Sequence, residues 1–226
     1  IDLWEKGITR YVVNSSIPEG LDEKYQELAY LVTRLARAWL EDKPVRQIET
    51  SFYGKLDQFA NWMIAPVVSA LDPSFDIQSE YNEAISYLKE KGIDYTVRPA
   101  DNAKKYGESI TIDIFCGADS LERISIRGTV TESSIMVSRI ADFHKLYFDP
   151  KGHNLFFTYE DRPGVLALIT SVLGKEGINI DDVRAPHNDT QEKSLAILKV
   201  DKPVGGEIVK KIVKQIKAQN GFYVNL

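Results

Sequence analysis

The sequence predicts an α/β (α+β) protein of two units. A mixed α/β region comes first, and a small β-α-β-β-α-β unit with the order of the split βαβ, ferredoxin-like motif follows. Three observations carry this expectation. The early chain steps its apolar residues by three and four, then by two, as amphipathic helices and then strands do. Asp149-Pro150-Lys151-Gly152 is a strong turn signal, with proline pre-set for the second turn position and glycine free at the fourth. Beyond it six short elements alternate compactly up to Leu226. We therefore divide the 226 residues into 1–149 and 150–226, in keeping with ~100–200 residues per domain.

The chain opens Ile1-Asp2-Leu3-Trp4-Glu5-Lys6-Gly7, without methionine and without a basic-then-apolar leader. It reads as the last turn of a helix stopped by Gly7, so we expect a piece of a longer protein. From Asp22, the residues Tyr25, Leu28, Ala29, Val32, Leu35, Ala36 and Trp39 make one apolar helical face, closed by Pro44. Val45 to Tyr53 alternates as a strand with Ile48, Thr50 and Phe52 on one side, and Gly54 ends it. Leu56 to Leu71 keeps helical period over four turns, and Pro66 inside it should bend the helix. A helix from Ser79 to Lys91 stops at Gly92. Strands are expected at Asp94–Arg98, Ser109–Phe115, Leu121–Thr129 and Ser134–Ala141. In the second unit we expect strands at Asn154–Thr158, Ile178–Val183, Ser194–Val200 and Phe222–Leu226. Helices at Pro163–Lys175 and Val204–Lys217 lie between them.

Composition narrows the function. Hydrophobic residues at 43% and charged residues at 27% are those of a globular chain. A net charge of −5 argues against a nucleic-acid partner, which calls for a basic face. No run approaches the ~18 apolar residues of a membrane span. The single cysteine, Cys116, excludes a disulfide within the chain and any cysteine-rich metal centre. A cytoplasmic protein is expected. No G-x-G and no G-x-x-x-x-G-K-[ST] occurs, so neither the dinucleotide fingerprint nor that phosphate loop is present. Cys116, ending an apolar strand, reads as a small buried residue. His187, in Ala185-Pro186-His187-Asn188-Asp189-Thr190, reads as a hairpin-loop histidine, and no histidines pair at metal-ligand spacing. We assign no catalytic residue, metal or cofactor to this chain.

One stretch stands apart. Tyr159-Glu160-Asp161-Arg162-Pro163-Gly164-Val165-Leu166 joins a strand to a helix, with Asp161 suited to the N-cap and Pro163 to the first helical position. An ordinary capped turn would account for it. So would a ligand seat, because a glycine-floored helix N-terminus offers free N–H groups to a carboxylate. An acidic side chain beside it suits an ammonium group. Together they describe a receptor for a free amino acid.

At these residues the second unit resembles the ACT domain, a small-molecule sensor fused to enzymes of amino-acid metabolism. The most specific marks are Asp161 to Leu166 and Gly177-Ile178-Asn179-Ile180. The whole chain resembles the C-terminal regulatory half of the D-3-phosphoglycerate dehydrogenase family. Tyr11-Val12-Val13-Asn14 and Gly152-His153-Asn154-Leu155 add to the match. The resemblance implies that residues 1–149 are the intervening, allosteric substrate-binding domain. It also implies that NAD is held by catalytic domains upstream of Ile1.

The same resemblance implies L-serine, or another small amino acid, bound between two paired ACT domains of a homodimer or homotetramer. The family's ligand positions fall on Tyr159, Asp161 and Asn179. Asp161 would hold the ammonium, Tyr159 would shape the wall, and the Val165 and Leu166 amides would face the carboxylate. Asn179 would reach across from the partner subunit, or else merely serve the turn after Gly177. Arg139 falls where some relatives carry a basic anion site, with a surface role as the alternative. A second expected basic position is Asp149, a departure from the pattern.

Ile48 to Gly54 also resembles a segment of the iron–sulfur L-serine dehydratase family, whose regulatory region is one alternative. A stand-alone amino-acid-binding module is another. An RNA platform would display aromatic residues on its central strands, and Ser194 to Val200 has none.

Overall fold

The computed structural model describes residues 18–41, 43–101, 103–117 and 122–226. Ile1–Gly7, Tyr11–Asn14 and the start of the strand expected from Leu121 lie outside the described residues. The first sheet has six strands: β1 (Val45–Phe52), β2 (Asp94–Val97), β3 (Ser109–Cys116), β4 (Glu122–Thr131), β5 (Ser134–Ile140) and β6 (Phe143–Phe148). Their order is β2-β1-β3-β4-β5-β6, with β1 and β2 parallel and the other neighbours antiparallel. Helices α1 (Lys24–Trp39), α2 (Ile64–Leu71) and α3 (Tyr81–Glu90) belong to this part of the chain.

The second sheet, in the order β10-β7-β9-β8, is antiparallel throughout. Its strands are β7 (His153–Glu160), β8 (Ile180–Arg184), β9 (Lys193–Val200) and β10 (Asn220–Asn225). Helices α4 (Val165–Lys175) and α5 (Gly206–Ile216) complete the β-α-β-β-α-β order. Alternation along β7 sorts the two faces. Leu155, Phe157 and Tyr159 join Ile169, Leu173, Ile212 and Ile216 of the two helices in one core.

Phe156, on the opposite face, joins the core of the first unit together with Leu195, Ile197 and Val224. The element that meets them is α1. Its apolar face, with Leu28, Val32 and Leu35 fully buried, packs on β3 and β4. The Trp39 ring turns to the second sheet, 5.7 Å from Phe222 and 6.4 Å from Phe156, edge to face. Polar contacts follow the same seam. Lys151 Nζ lies 2.7 Å from Glu27 Oε1, and Arg34 donates to the Asn225 carbonyl at 3.4 Å. On its inner side α1 lies close to β4, where a Cβ on Gly128 would stand 2.5 Å from Leu28 Cδ1.

Two expectations fail in instructive ways. The four-turn helix over Leu56–Leu71 is a 3₁₀ segment, Gly54–Trp62, followed by α2. Pro66 explains the break, because it has no N–H for the Trp62 carbonyl and its ring crowds that carbonyl. The freed carbonyl accepts instead from Gln26 Nε2 of α1, at 3.2 Å. Pro66 therefore sits in the first turn of α2 and bends nothing. The strand β6 was not expected: Lys145 and Tyr147 have φ of 57° and 43°, which breaks the alternation that marks a strand.

Candidate functional site

The site sits where β7 ends and α4 begins. Gly164 occupies the N-cap with φ 88°, a left-handed conformation that glycine adopts without cost. The expected cap is thus displaced: Asp161 does not cap α4, and Pro163 lies in the turn ahead of the helix. The N–H groups of Val165, Leu166 and Ala167 begin α4 and have no helical acceptor. No acidic residue lies in this first turn to compete for them. Val165 is buried and Leu166 half-buried.

Asp161 is used differently. Its N–H donates to the Glu192 carbonyl at 2.9 Å, which fixes the backbone beside β9. Its Oδ1 accepts from Ser194 Oγ at 2.7 Å, and the carboxylate stays 40% exposed. That is the accessibility an ammonium group needs. Tyr159 is paired with Ser194 across β7 and β9 and is only 3% exposed, which places it beneath the Asp161–Ser194 contact. Burial pushes its phenol upward, while a hydrogen bond with Ser194 opposes the rise.

Sequence reading missed Ser194 and His187. Ser194 is 1% exposed, and its Oγ also lies 3.0 Å from His187 Nδ1. The only sequence signal was the hairpin itself, since a hairpin across from Asp161 returns its residues to the same sheet end.

Asn179 is not part of this cluster within one chain. It precedes β8, donates from its N–H to Asp201 Oδ1 at 2.9 Å, and gives its Nδ2 to Asp181 Oδ1 at 3.2 Å. Asp161 bonds beside Glu192 and Asn179 beside Asp201, so the two stand at opposite ends of β9. At ~3.3 Å per residue they are on the order of 30 Å apart. Its strand β8 is an edge of the sheet, and Val183 on it is exposed.

Arg139 lies on β5, far from a simple surface position. It is half-buried, donates to Ser125 Oγ at 2.6 Å and the Ala141 carbonyl at 3.1 Å, and shares its surroundings with Arg127 and Arg123. Burial first, and these like charges next, lower its pKa from the ordinary arginine value. Asp149, in the other expected basic position, pairs with Lys199 Nζ at 3.4 Å. Among the described residues no cluster of histidine, cysteine and carboxylates could hold a metal ion. No described helix is long and apolar enough to cross a membrane.

The model of the "AHAS small subunit-like ACT domain" matches residues 155–221. Residues 155–221 form an ACT domain. D-3-phosphoglycerate dehydrogenase of Methanocaldococcus jannaschii is 24% identical over 221 residues, covering 95% of this chain and 41% of that protein. The enzyme of the same name from Mycobacterium leprae is 28% identical over 117 residues, covering 51% of this chain and 22% of the relative. The Archaeoglobus fulgidus enzyme is 25% identical over 139 residues, covering 61% and 26%. The chain thus spans less than half the length of these relatives. The ACT domain and the relatives together support the reading of the chain as the regulatory region of a D-3-phosphoglycerate dehydrogenase-like protein.

Proposed function

We propose that this regulatory region binds L-serine between two paired ACT domains and so controls an attached NAD-dependent dehydrogenase of serine biosynthesis. One observation carries the reading. The half-exposed Asp161 carboxylate stands at the left-handed Gly164 turn that opens α4, next to uncommitted helix amides. An α-amino acid presents the complementary pair, with the ammonium for Asp161 and the carboxylate for the Val165 and Leu166 N–H groups. Tyr159 closes the floor beneath them.

Pairing of two copies is part of the same proposal. The β8 edge has no strand beyond it and can take a second copy antiparallel about a two-fold axis. That arrangement turns each sheet end for end relative to the other, bringing Asn179 of one copy towards Asp161 of the next. Serine touching both copies stabilises the pair, and pairing tightens serine binding by the same factor. Arg139, with Arg127 beside it, is proposed as a secondary seat for an anion. NAD and the dehydrogenase chemistry belong to the longer protein, and no residue of this chain is assigned to them.

The test is calorimetric titration of the 226-residue chain with L-serine, using glycine, D-serine and Asp161→Ala as controls. Saturable heat with L-serine, at micromolar to millimolar strength (~4–8 kcal/mol), and none in the variant supports the seat. An absence of heat from protein shown to be paired overturns it.

A further inference from the structure

The contacts of Ser194 fix more than its own position. A hydroxyl has one proton, and the 2.7 Å contact to Asp161 Oδ1 uses it, because a carboxylate can only accept. The 3.0 Å contact to His187 must then run the other way, with Nδ1–H donating to Ser194 Oγ. The neutral ring is thereby set as the Nδ1–H tautomer, with Nε2 bare. His187 is held at this place by the hairpin backbone. It is bridged to Ser194, and the Pro186 carbonyl accepts from the Leu195 N–H at 3.0 Å. Asn188 Oδ1 clamps the hairpin by accepting from the Glu192 and Lys193 N–H groups at 3.1 and 3.0 Å. His187 Nδ1 also lies 3.6 Å from Asp161 Oδ1, and the ring is half-exposed.

We propose that His187 is a positioning residue of the amino-acid seat: its neutral ring aims Asp161 through Ser194, and its protonated ring competes with the ligand's ammonium for that carboxylate. The proposal rests on the reading of Asp161 as the ammonium partner. Two cations would then share one carboxylate, so ligand binding and proton binding at His187 oppose each other by the same factor.

The other charges nearby do not take the place of Asp161. On the hairpin, Asp189 is drawn to His144 of β6 at 3.5 Å, and Glu192 accepts from the Thr190 hydroxyl. Arg162 is turned to the Ile216 and Glu160 carbonyls. Lys193 stands opposite Glu160 across β7 and β9, and α4 brings no acidic residue in its first turn. The affinity for an amino acid therefore falls as pH drops from ~8 to ~5, the range in which imidazoles take up a proton.

The experiment measures L-serine affinity of the 226-residue chain across that range, for the parent and for His187→Gln, which keeps an N–H donor but cannot titrate. The expected result is a parent dissociation constant rising about tenfold from pH ~8 to ~5, with the variant flat across the same range. As a second readout, serine should move the NMR titration midpoint of the His187 ring to lower pH in the parent. Ser194→Ala should weaken binding at both ends of the range. A variant that keeps the parent's pH profile, or a His187 midpoint indifferent to serine, overturns the role of His187 while leaving the seat standing. No serine binding by the parent at pH ~8 overturns the seat, and this proposal with it.

Discussion

Asp161 and Asn179 face opposite ends of the same strand: one is fixed beside Glu192 and the other beside Asp201, with β9 running between them. A site that uses both needs two chains. Mixing Asp161→Ala with Asn179→Ala protein should therefore restore serine binding that neither variant shows alone. Each mixed pair keeps one intact site and carries one doubly altered site. Calorimetry on an equimolar mixture should recover about one serine per mixed pair. Absence of recovery, with mixed pairs shown to form, would remove Asn179 from the site.

Gly128 is expected to be intolerant of even one methyl group. A Cβ there would lie 2.5 Å from Leu28 Cδ1 and 3.1 Å from the Met136 carbonyl, so the buried Leu28 side chain or α1 itself would have to give way. Gly128→Ala should cost ~1–3 kcal/mol in urea unfolding, despite adding apolar volume. A neutral result would mean that α1 can shift without loss.

Trp39→Ala tests the seam between the two sheets. The ring fills the angle between Phe156 and Phe222, and those rings stack on each other at 5.1 Å. Its removal should destabilise the protein by ~1–3 kcal/mol, with the effect visible in the second sheet. Hydrogen exchange of the β7 and β10 amides reads that effect directly, and unchanged exchange there would contradict the seam.

Alkaline stability should depend on Tyr25. Its phenol is buried and donates to Glu108 Oε2 at 3.3 Å. Burial first, and the Glu108 charge next, push its pKa up from 10.0 to about 12. The raised folded value means the stabilising contribution is fully present below pH 10.0, the unfolded value, and is lost as pH rises towards about 12. Tyr25→Phe should lose ~0.5–1.5 kcal/mol at neutral pH and show a shallower decline above pH 10 in chemical unfolding. An identical alkaline limb in the variant would assign the loss elsewhere.

How much of this was legible in the sequence differs by element. The β-α-β-β-α-β order followed from the spacing of apolar residues, and the central places of β7 and β9 from the topology of the split βαβ motif. The split at Trp62–Met63 was signalled by Pro66 but misjudged as a bend. A proline in a first turn is harmless, and only the capture of the Trp62 carbonyl by Gln26 settles where that turn begins. β6 escaped because left-handed residues at Lys145 and Tyr147 scramble its alternation. In the site, Tyr159 and Asp161 were visible as a local stretch. Ser194 and His187 were not, since their meeting with Asp161 is made by strand pairing across 33 and 26 residues of chain.

The place of α1 has a consequence for how the molecule comes apart. A helix that packs on both sheets within one shared core cannot leave one of them without stripping the other, so the sheets should melt in a single step despite their separate hydrogen-bond networks. Its partner β10 lies some 180 residues downstream of Trp39, so that seam is a contact of very high sequence separation and should form late in folding. Anything that grips the far end of the second sheet is then felt as heat resistance in the first.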